Sequence, residues 1–325
     1  MTTYLLIDTQ NLGYRNFKIT PKSSPIEDRI GLTLHNILTI TTNAYRIFEA
    51  DHCVFCFDSS SWRKMFYPQY KANRVALRAA MRPSERKADD EFRESLNELK
   101  AFLDNKTNVT VLHCDGLEAD DLIAGWIRHH SDDHNVIVSN DTDFIQLISD
   151  NVNIYNGKNY LTPNGAFFDN GTLDANNKFT PNHDVEYELF KKCIRGDSSD
   201  NIFSAYPGVR EKGSKNTVGI IEAYNDRTNK GFKWNSFMNS TWYDHNKEKR
   251  LVKEQYEINR NMIDLRMMPP EVNLLIDNTI QQQSIVKKKH GVGVSFLQFC
   301  RKHQLNRIMN DSQNIGIMLN RHYKD

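Results

Sequence analysis

Apolar, β-branched runs that end on an acid recur through the first half of this chain, and they restrict its fold more than any other feature. The runs at residues 4–7, 53–57 and 136–139 lead into Asp8, Asp58 and, after Asn140, Asp141. Further runs occupy 109–113 and 152–155, while 30–48, 92–103 and 120–130 carry helical periodicity. Strands alternating with helices predict an α/β fold, a mainly parallel sheet flanked by helices. In such sheets the working groups gather off the carboxyl ends of the strands, which is where these acids fall.

At 325 residues the chain has room for a core domain and a second lobe. The stretch 161–182, rich in Asn, Gly, Asp, Thr and Pro, reads as a loop or irregular hairpin joining them. The expected division is therefore a catalytic domain over 1–182 and a helical lobe over 183–325. Candidate helices in the lobe lie at 185–194, 217–224, 247–265 and 296–309, with Met268-Pro269-Pro270 stopping one of them. No apolar run approaches the roughly 20 residues a membrane span needs, so no membrane association is expected. The N-terminus lacks the basic flank and cleavage site of a secretory signal, which leads us to expect a cytoplasmic protein. Five cysteines, an odd number in a long chain, fit reduced thiols. Cys53 and Cys56 have redox-motif spacing but lie inside a strand-like run, so packing is the expected role.

Three acidic clusters add to Asp8 and Asp58: Glu118, Asp120 and Asp121 at a helix start, Asp141 and Asp143 after a strand, and Asp197 and Asp200 after a helix. Any one of these acids alone is more often a cap or a turn residue. Gathered together, like charges repel unless cations neutralise them. Carboxylate oxygen is what Mg²⁺ and Mn²⁺ prefer, and two such ions about 4 Å apart can activate a water and stabilise the leaving oxygen of a phosphodiester. A second feature points the same way. Between Trp62 and Lys87 eight basic residues stand against the single acid Glu85, with Trp62, Phe66, Tyr67 and Tyr70 interleaved. That mixture suits a polyanion surface.

Six segments carry a family resemblance: Leu6-Ile7-Asp8, Phe57-Asp58, Phe66-Tyr67-Pro68-Gln69-Tyr70-Lys71-Ala72-Asn73-Arg74, Glu118-Ala119-Asp120-Asp121-Leu122-Ile123-Ala124, Asp141-Thr142-Asp143-Phe144-Ile145-Gln146-Leu147 and Gly196-Asp197-Ser198-Ser199-Asp200-Asn201-Ile202. In this order and over residues 1 to about 225 the chain resembles the flap endonucleases, which include the 5′-nuclease domain of bacterial DNA polymerase I and the phage RNase H and 5′-exonucleases. The resemblance implies a PIN-like catalytic domain with two Mg²⁺, replaceable by Mn²⁺. One ion would be held mainly by Asp8, Asp58, Glu118 and Asp120, the other by Asp120, Asp141, Asp143 and Asp197. Asp121 and Asp200 would act through water or by orienting the ligands. It also implies a helical arch or gateway over about 62–105. There Lys71 and Arg74, three apart on one helix face, would meet the scissile phosphate, and Tyr70 would offer a stacking surface for a base, with a core role as its competitor.

Arg78, Arg82 and Arg86, spaced by four, would continue as a cationic stripe if helical. Gly208, Val209, Arg210, Lys212, Gly213 and Lys215 resemble the turn of the family's helix-three-turn-helix motif, whose glycines let backbone amides approach duplex phosphates and which can carry a monovalent cation. Lys212 stands where the family has an apolar residue. Contacts of this kind position a duplex without reading its sequence. The implied substrates are DNA with a 5′ end, flap or junction and RNA–DNA hybrid. A replication-fork protein is the implied partner, with a monomeric, stand-alone enzyme of phage type expected.

Other classes fit less well. A phosphohydrolase of the haloacid dehalogenase type needs Asp-x-Asp at its first strand, where this chain has Asp8-Thr9-Gln10. A junction-binding protein that had lost catalysis would lack one of the acids, and all are present. A single-domain PIN ribonuclease has no counterpart of the segment from Gly196 to Thr217.

Overall fold

The computed structural model describes residues 1–177, 184–244, 246–285, 287–308 and 312–323. The chain opens with strand β1 (Thr3–Asp8) and helices α1 (Thr9–Ile19) and α2 (Ile26–Ile47), followed by β2 (His52–Cys56), the short α3 (Arg63–Phe66), α4 (Ala72–Ala79) and the long α5 (Pro83–Lys106). Next come β3 (Thr110–Leu112), α6 (Ala119–His129), β4 (His134–Val138), a 3-10 helix over Thr142–Leu147, β5 (Val152–Tyr155), β6 (Asn159–Thr162) and β7 (Gly165–Phe168). The rest comprises α7 (Val185–Arg195), α8 (Ile220–Asn225), α9 (Phe232–Met238), β8 (Thr241–Tyr243), β9 (Lys249–Leu251), α10 (Val252–Ile263), α11 (Pro270–Ser284), α12 (Val292–Lys302) and α13 (Ser312–Asn320).

Two compact units share the chain, and they interleave. One comprises Met1–Ser61, Met81–His183 and Pro270–Asp325; the other comprises Trp62–Ala80 and Asp184–Pro269. Among the described residues the first unit holds a seven-stranded sheet in the order β3-β2-β1-β4-β5-β6-β7. Its first five strands run parallel, with Leu6 opposite both Val54 and Ile137. Helices cover both faces, which is why these strands read as unbroken apolar runs. The hairpin of β6 and β7 then adds two antiparallel strands, the form taken by the described part of the expected 161–182 connection.

The closing segment departs from expectation. We expected residues 270–325 in the helical lobe, yet α11 packs on α6 and β3, α12 on α5, and α13 on α2. Phe102 of α5 stacks on Phe299 of α12 with ring centroids 4.3 Å apart. The reason is apolar: without Phe296, Phe299, Ile315 and Met318, the faces of α2 and α5 would stand uncovered. Pro269-Pro270, read as a stop, also begins α11, since proline is well placed at a first helical position. The expected boundary at 182/183 lies outside the described residues, whereas the helix expected over 296–309 is α12, which starts earlier and ends at Lys302 with His303 as its cap.

The second unit is built on Phe190, Ile194, Ile220, Tyr224, Phe237 and Val252. Asn259 of α10 is buried, and its amide donates to the carbonyls of Cys193 and Phe203, both at 2.8 Å, tying α10 to α7 and the chain beyond it. Residues 62–80 fold into this unit: the buried Arg63 guanidinium donates to the Met262 carbonyl at 2.8 Å. The expected 62–105 arch is thus divided, because most of it is α5, whose Phe92, Leu96, Leu99 and Phe102 belong to the first unit's core. No helix among the described residues is long and apolar enough to cross a membrane.

Candidate metal centre

The first unit brings seven of the expected acids to the carboxyl edge of its parallel strands. Asp8 ends β1 and caps α1: its Oδ1 accepts the Asn11 N–H at 3.1 Å and its Oδ2 accepts the Ser139 hydroxyl at 2.9 Å. Ser139 in turn accepts the Asp141 N–H at 3.0 Å, so one hydroxyl links the acids following two neighbouring strands, β1 and β4. Asp58, two residues beyond β2, accepts the Ala119 N–H at 2.8 Å, which fixes the start of α6 beside it. Asp141 caps the 3-10 helix by accepting the Asp143 N–H at 2.9 Å. These short Asp side chains cap helices that start where strands end, so the local signal that forms the caps also gathers the charge.

Glu118 and Asp121 form a capping box at the head of α6, the Glu118 N–H donating to Asp121 Oδ2 at 3.0 Å. Ser61 donates to Glu118 Oε2 at 2.7 Å, and Asp120 accepts the Asp121 N–H at 2.8 Å. Glu118, Asp120 and Asp121 each bring one carboxylate oxygen within 4.8 Å of the others. Burial, and then the charge of Asp58 beside it, pushes the Asp8 carboxyl up to about 8. A carboxylate held that far from ionisation marks excess negative charge that a cation would relieve. All the donors are hard oxygens, so they fit a divalent ion of the magnesium and manganese type.

In the second unit, Gly196 ends α7 at φ 74°, and a Cβ there would lie 2.4 Å from the Ile202 carbonyl oxygen. The tight turn that follows is closed by Asp197 N–H to Ile202 O at 2.9 Å and Ile202 N–H to Asp197 O at 2.7 Å. Burial acts to raise the Asp197 carboxyl, but the Lys192 ammonium at 2.9 Å outweighs it and holds the group at about 2. Asp200 is the meeting point of all three expected catalytic residues. It accepts the Tyr70 hydroxyl at 3.0 Å and Arg74 at 2.7 Å, with Lys71 Nζ at 3.6 Å.

Several expectations about substrate handling change. Tyr70 is 2% exposed, so its ring packs instead of offering a stacking surface. Lys71 precedes α4 in a left-handed conformation, φ 55°, and meets Arg74 through Asp200 instead of along a helix face. Arg78 lies in α4 and Arg86 in α5, while Arg82 caps α5 and pairs with Glu85, so the interruption of the helix between Ala79 and Pro83 removes the continuous stripe. Val209 packs on the second unit's core, and its N–H donates to the Tyr206 carbonyl at 3.3 Å. The Gly213 amide is taken up by Glu222 Oε2 at 3.0 Å, as is that of Gly219 at 3.0 Å. Of the expected turn residues, Gly208 keeps φ 74°, and Arg210, Lys212 and Lys215 are exposed. Cys53 and Cys56 are buried free thiols, as packing residues would be. Ser61 and Ser139, which orient Glu118 and Asp8, were missed; the only signal for Ser139 was its place at the end of a strand-like run.

A family described as 5′-3′ exonuclease, N-terminal resolvase-like domain, matches residues 3–173. DNA polymerase I of Mycobacterium tuberculosis is 31% identical over 224 residues, 65% of this chain but 22% of that protein's length. The flap endonuclease of Escherichia phage T5 is 28% identical over 222 residues, 68% of this chain and 69% of that one. A crystal structure of the phage T5 flap endonuclease, a pseudo-enzyme–product complex with DNA and metal ions, aligns with a TM-score of 0.55 at 19% identity, covering 97% of this chain and 99% of that chain. At that identity the likeness concerns the fold, which is the mainly parallel sheet flanked by helices that the strand pattern predicts.

Proposed function

The chain belongs to the 5′-3′ exonuclease family, and on that footing we propose that it is a structure-specific 5′ nuclease, hydrolysing phosphodiester bonds of 5′ ends, flaps and RNA–DNA hybrids. The observation that carries this reading is the convergence of Asp8, Asp58, Glu118, Asp120, Asp121, Asp141 and Asp143 at the carboxyl edge of adjacent parallel strands. Divalent ions bound there would lower the barrier to water attack and stabilise the leaving oxygen. In this reading Asp8, Asp58, Glu118 and Asp120 hold one Mg²⁺, and Asp120, Asp141, Asp143 and Asp197 hold the other. Asp121 fixes the head of α6, and with it the direction of Glu118 and Asp120. Lys71 and Arg74 supply positive charge to the scissile phosphate, and Asp200 orients them. Arg210, Lys212 and Lys215 grip the duplex backbone through their side chains, since the Gly213 amide is already engaged.

The test is cleavage of a duplex bearing a labelled single-stranded 5′ flap, with Mg²⁺ or with EDTA, by the wild type and by Asp141→Asn. Cutting that needs Mg²⁺ and falls roughly a hundredfold or more in the variant is expected, since losing a ligand to a catalytic ion forfeits several kcal/mol of transition-state stabilisation. A flap that is bound but never cut under any divalent metal would instead identify a junction-binding protein.

A further inference from the structure

Two stretches far apart in sequence, 69–74 and 198–201, are stitched together within the second unit. The Lys71 N–H donates to the Asp200 carbonyl at 2.8 Å. The Asn73 amide donates to the Ser198 carbonyl at 3.1 Å and to that of Ser199 at 3.4 Å. In the other direction, the Asn201 amide donates to the Gln69 carbonyl at 2.7 Å.

The backbone at this seam is unusual. Lys71 has φ 55° and Asn201 φ 59°. Asparagine visits the left-handed region readily, whereas lysine seldom does, and such a conformation persists only where its surroundings over-determine it. Here its effect is to turn the chain into α4 so that Lys71 and Arg74 converge on a single carboxylate, Asp200. The Asn73 and Asn201 side chains pin the chain on either side of Lys71, and neither residue carries charge to a substrate.

We propose that Asn73 and Asn201 are positioning residues of the nuclease reaction, a clamp that preassembles Lys71 and Arg74 as a cationic pair before substrate arrives. The inference rests on the nuclease reading above and adds to it the residues that set the geometry of the pair. Preorganised charge acts on a phosphate without reorganising during the reaction, so a loosened clamp costs rate more than affinity.

Single-turnover cleavage of the labelled flap duplex tests this in the wild type, Asn73→Ala, Asn201→Gly, Lys71→Ala and the double variant Asn73→Ala/Lys71→Ala. Flap affinity is measured alongside with Ca²⁺ replacing Mg²⁺, and folding by thermal unfolding. Asn201→Gly retains access to the left-handed backbone and removes only the donor, so it reports the hydrogen bond free of strain. We expect either clamp variant to slow cleavage about tenfold or more, as small misplacements of catalytic groups do, with affinity and unfolding temperature little changed. In the Lys71→Ala background the Asn73→Ala loss should nearly vanish, because groups acting as one unit are non-additive. Full activity in both clamp variants, or the same Asn73→Ala loss with and without Lys71, would overturn the clamp while leaving the nuclease reading intact. A wild type that cuts no flap with any divalent metal overturns the nuclease reading and the clamp with it.

Discussion

Asp8 is the residue at which fold and chemistry oppose each other most directly. Its carboxyl is buried beside Asp58, and its folded pKa is raised to about 8 from an ordinary value near 3.8. A carboxyl raised on folding binds its proton more tightly in the native state, so without metal the protein loses stability as pH climbs from about 4 towards 8. Asp8→Asn removes that titration while keeping the side chain's shape and its acceptor for the Asn11 N–H. In EDTA the variant should therefore be more stable than wild type at pH 8 by on the order of 1–3 kcal/mol, and so unfold at a higher temperature, and the gap should close near pH 4. Thermal unfolding at the two pH values measures this, and an equal gap at both would show that the Asp8 charge is not what strains the native state. The same substitution should abolish Mg²⁺-dependent cutting. The position of Asp8 at the carboxyl edge of the sheet was legible from its place after an apolar run. Its hydroxyl partner Ser139 was not, because a serine at a strand end most often serves a turn.

At the scale of the element, legibility followed burial. Strands with both faces covered announce themselves as apolar runs, and α2, α6 and α7 fall close to the stretches their periodicity marks. The hairpin of β8 and β9 escaped notice because its faces are largely exposed and carry no alternation. Helix α11 was hidden behind Pro269-Pro270, and its attachment to the sheet rests on a contact that sequence does not display. Gly125 of α6 faces Ile276 of α11 so closely that a Cβ would lie 2.2 Å from the Ile276 Cγ2 atom. Gly125→Ala should thus force the two helices apart and destabilise the protein by about 1–3 kcal/mol, even though alanine is the better helix former. Denaturant unfolding decides the matter, and a neutral or stabilising outcome would mean that α11 does not seat on α6 as described.

For the molecule as a whole, a net charge of +1 conceals how a polyanion would be held. Duplex binding by exposed lysines and arginines releases condensed counterions, so affinity should fall linearly on a log–log plot against salt, each phosphate contact adding about 0.9 to the slope. The resemblance pointed to backbone amides at the 208–217 turn for this work, but Glu222 occupies the Gly213 amide, and Gly213 itself leaves no room for a Cβ beside the Thr217 carbonyl at 2.3 Å. A carboxylate inside a phosphate-binding turn repels the ligand it would need to admit. On the proposed function the grip would pass to the exposed side chains of Arg210, Lys212 and Lys215, and Lys212 would be a gain in place of a missing apolar contact. Replacing Lys212 and Lys215 together by alanine should flatten the salt dependence of flap-duplex binding by roughly 1 to 2 in slope, equally for duplexes of unrelated sequence, with the cleavage position unmoved. Binding isotherms across a salt series in Ca²⁺ give the slope. An unchanged slope would place the duplex elsewhere on the molecule, whereas a flattening confined to one sequence would mean that these lysines read bases and not the backbone.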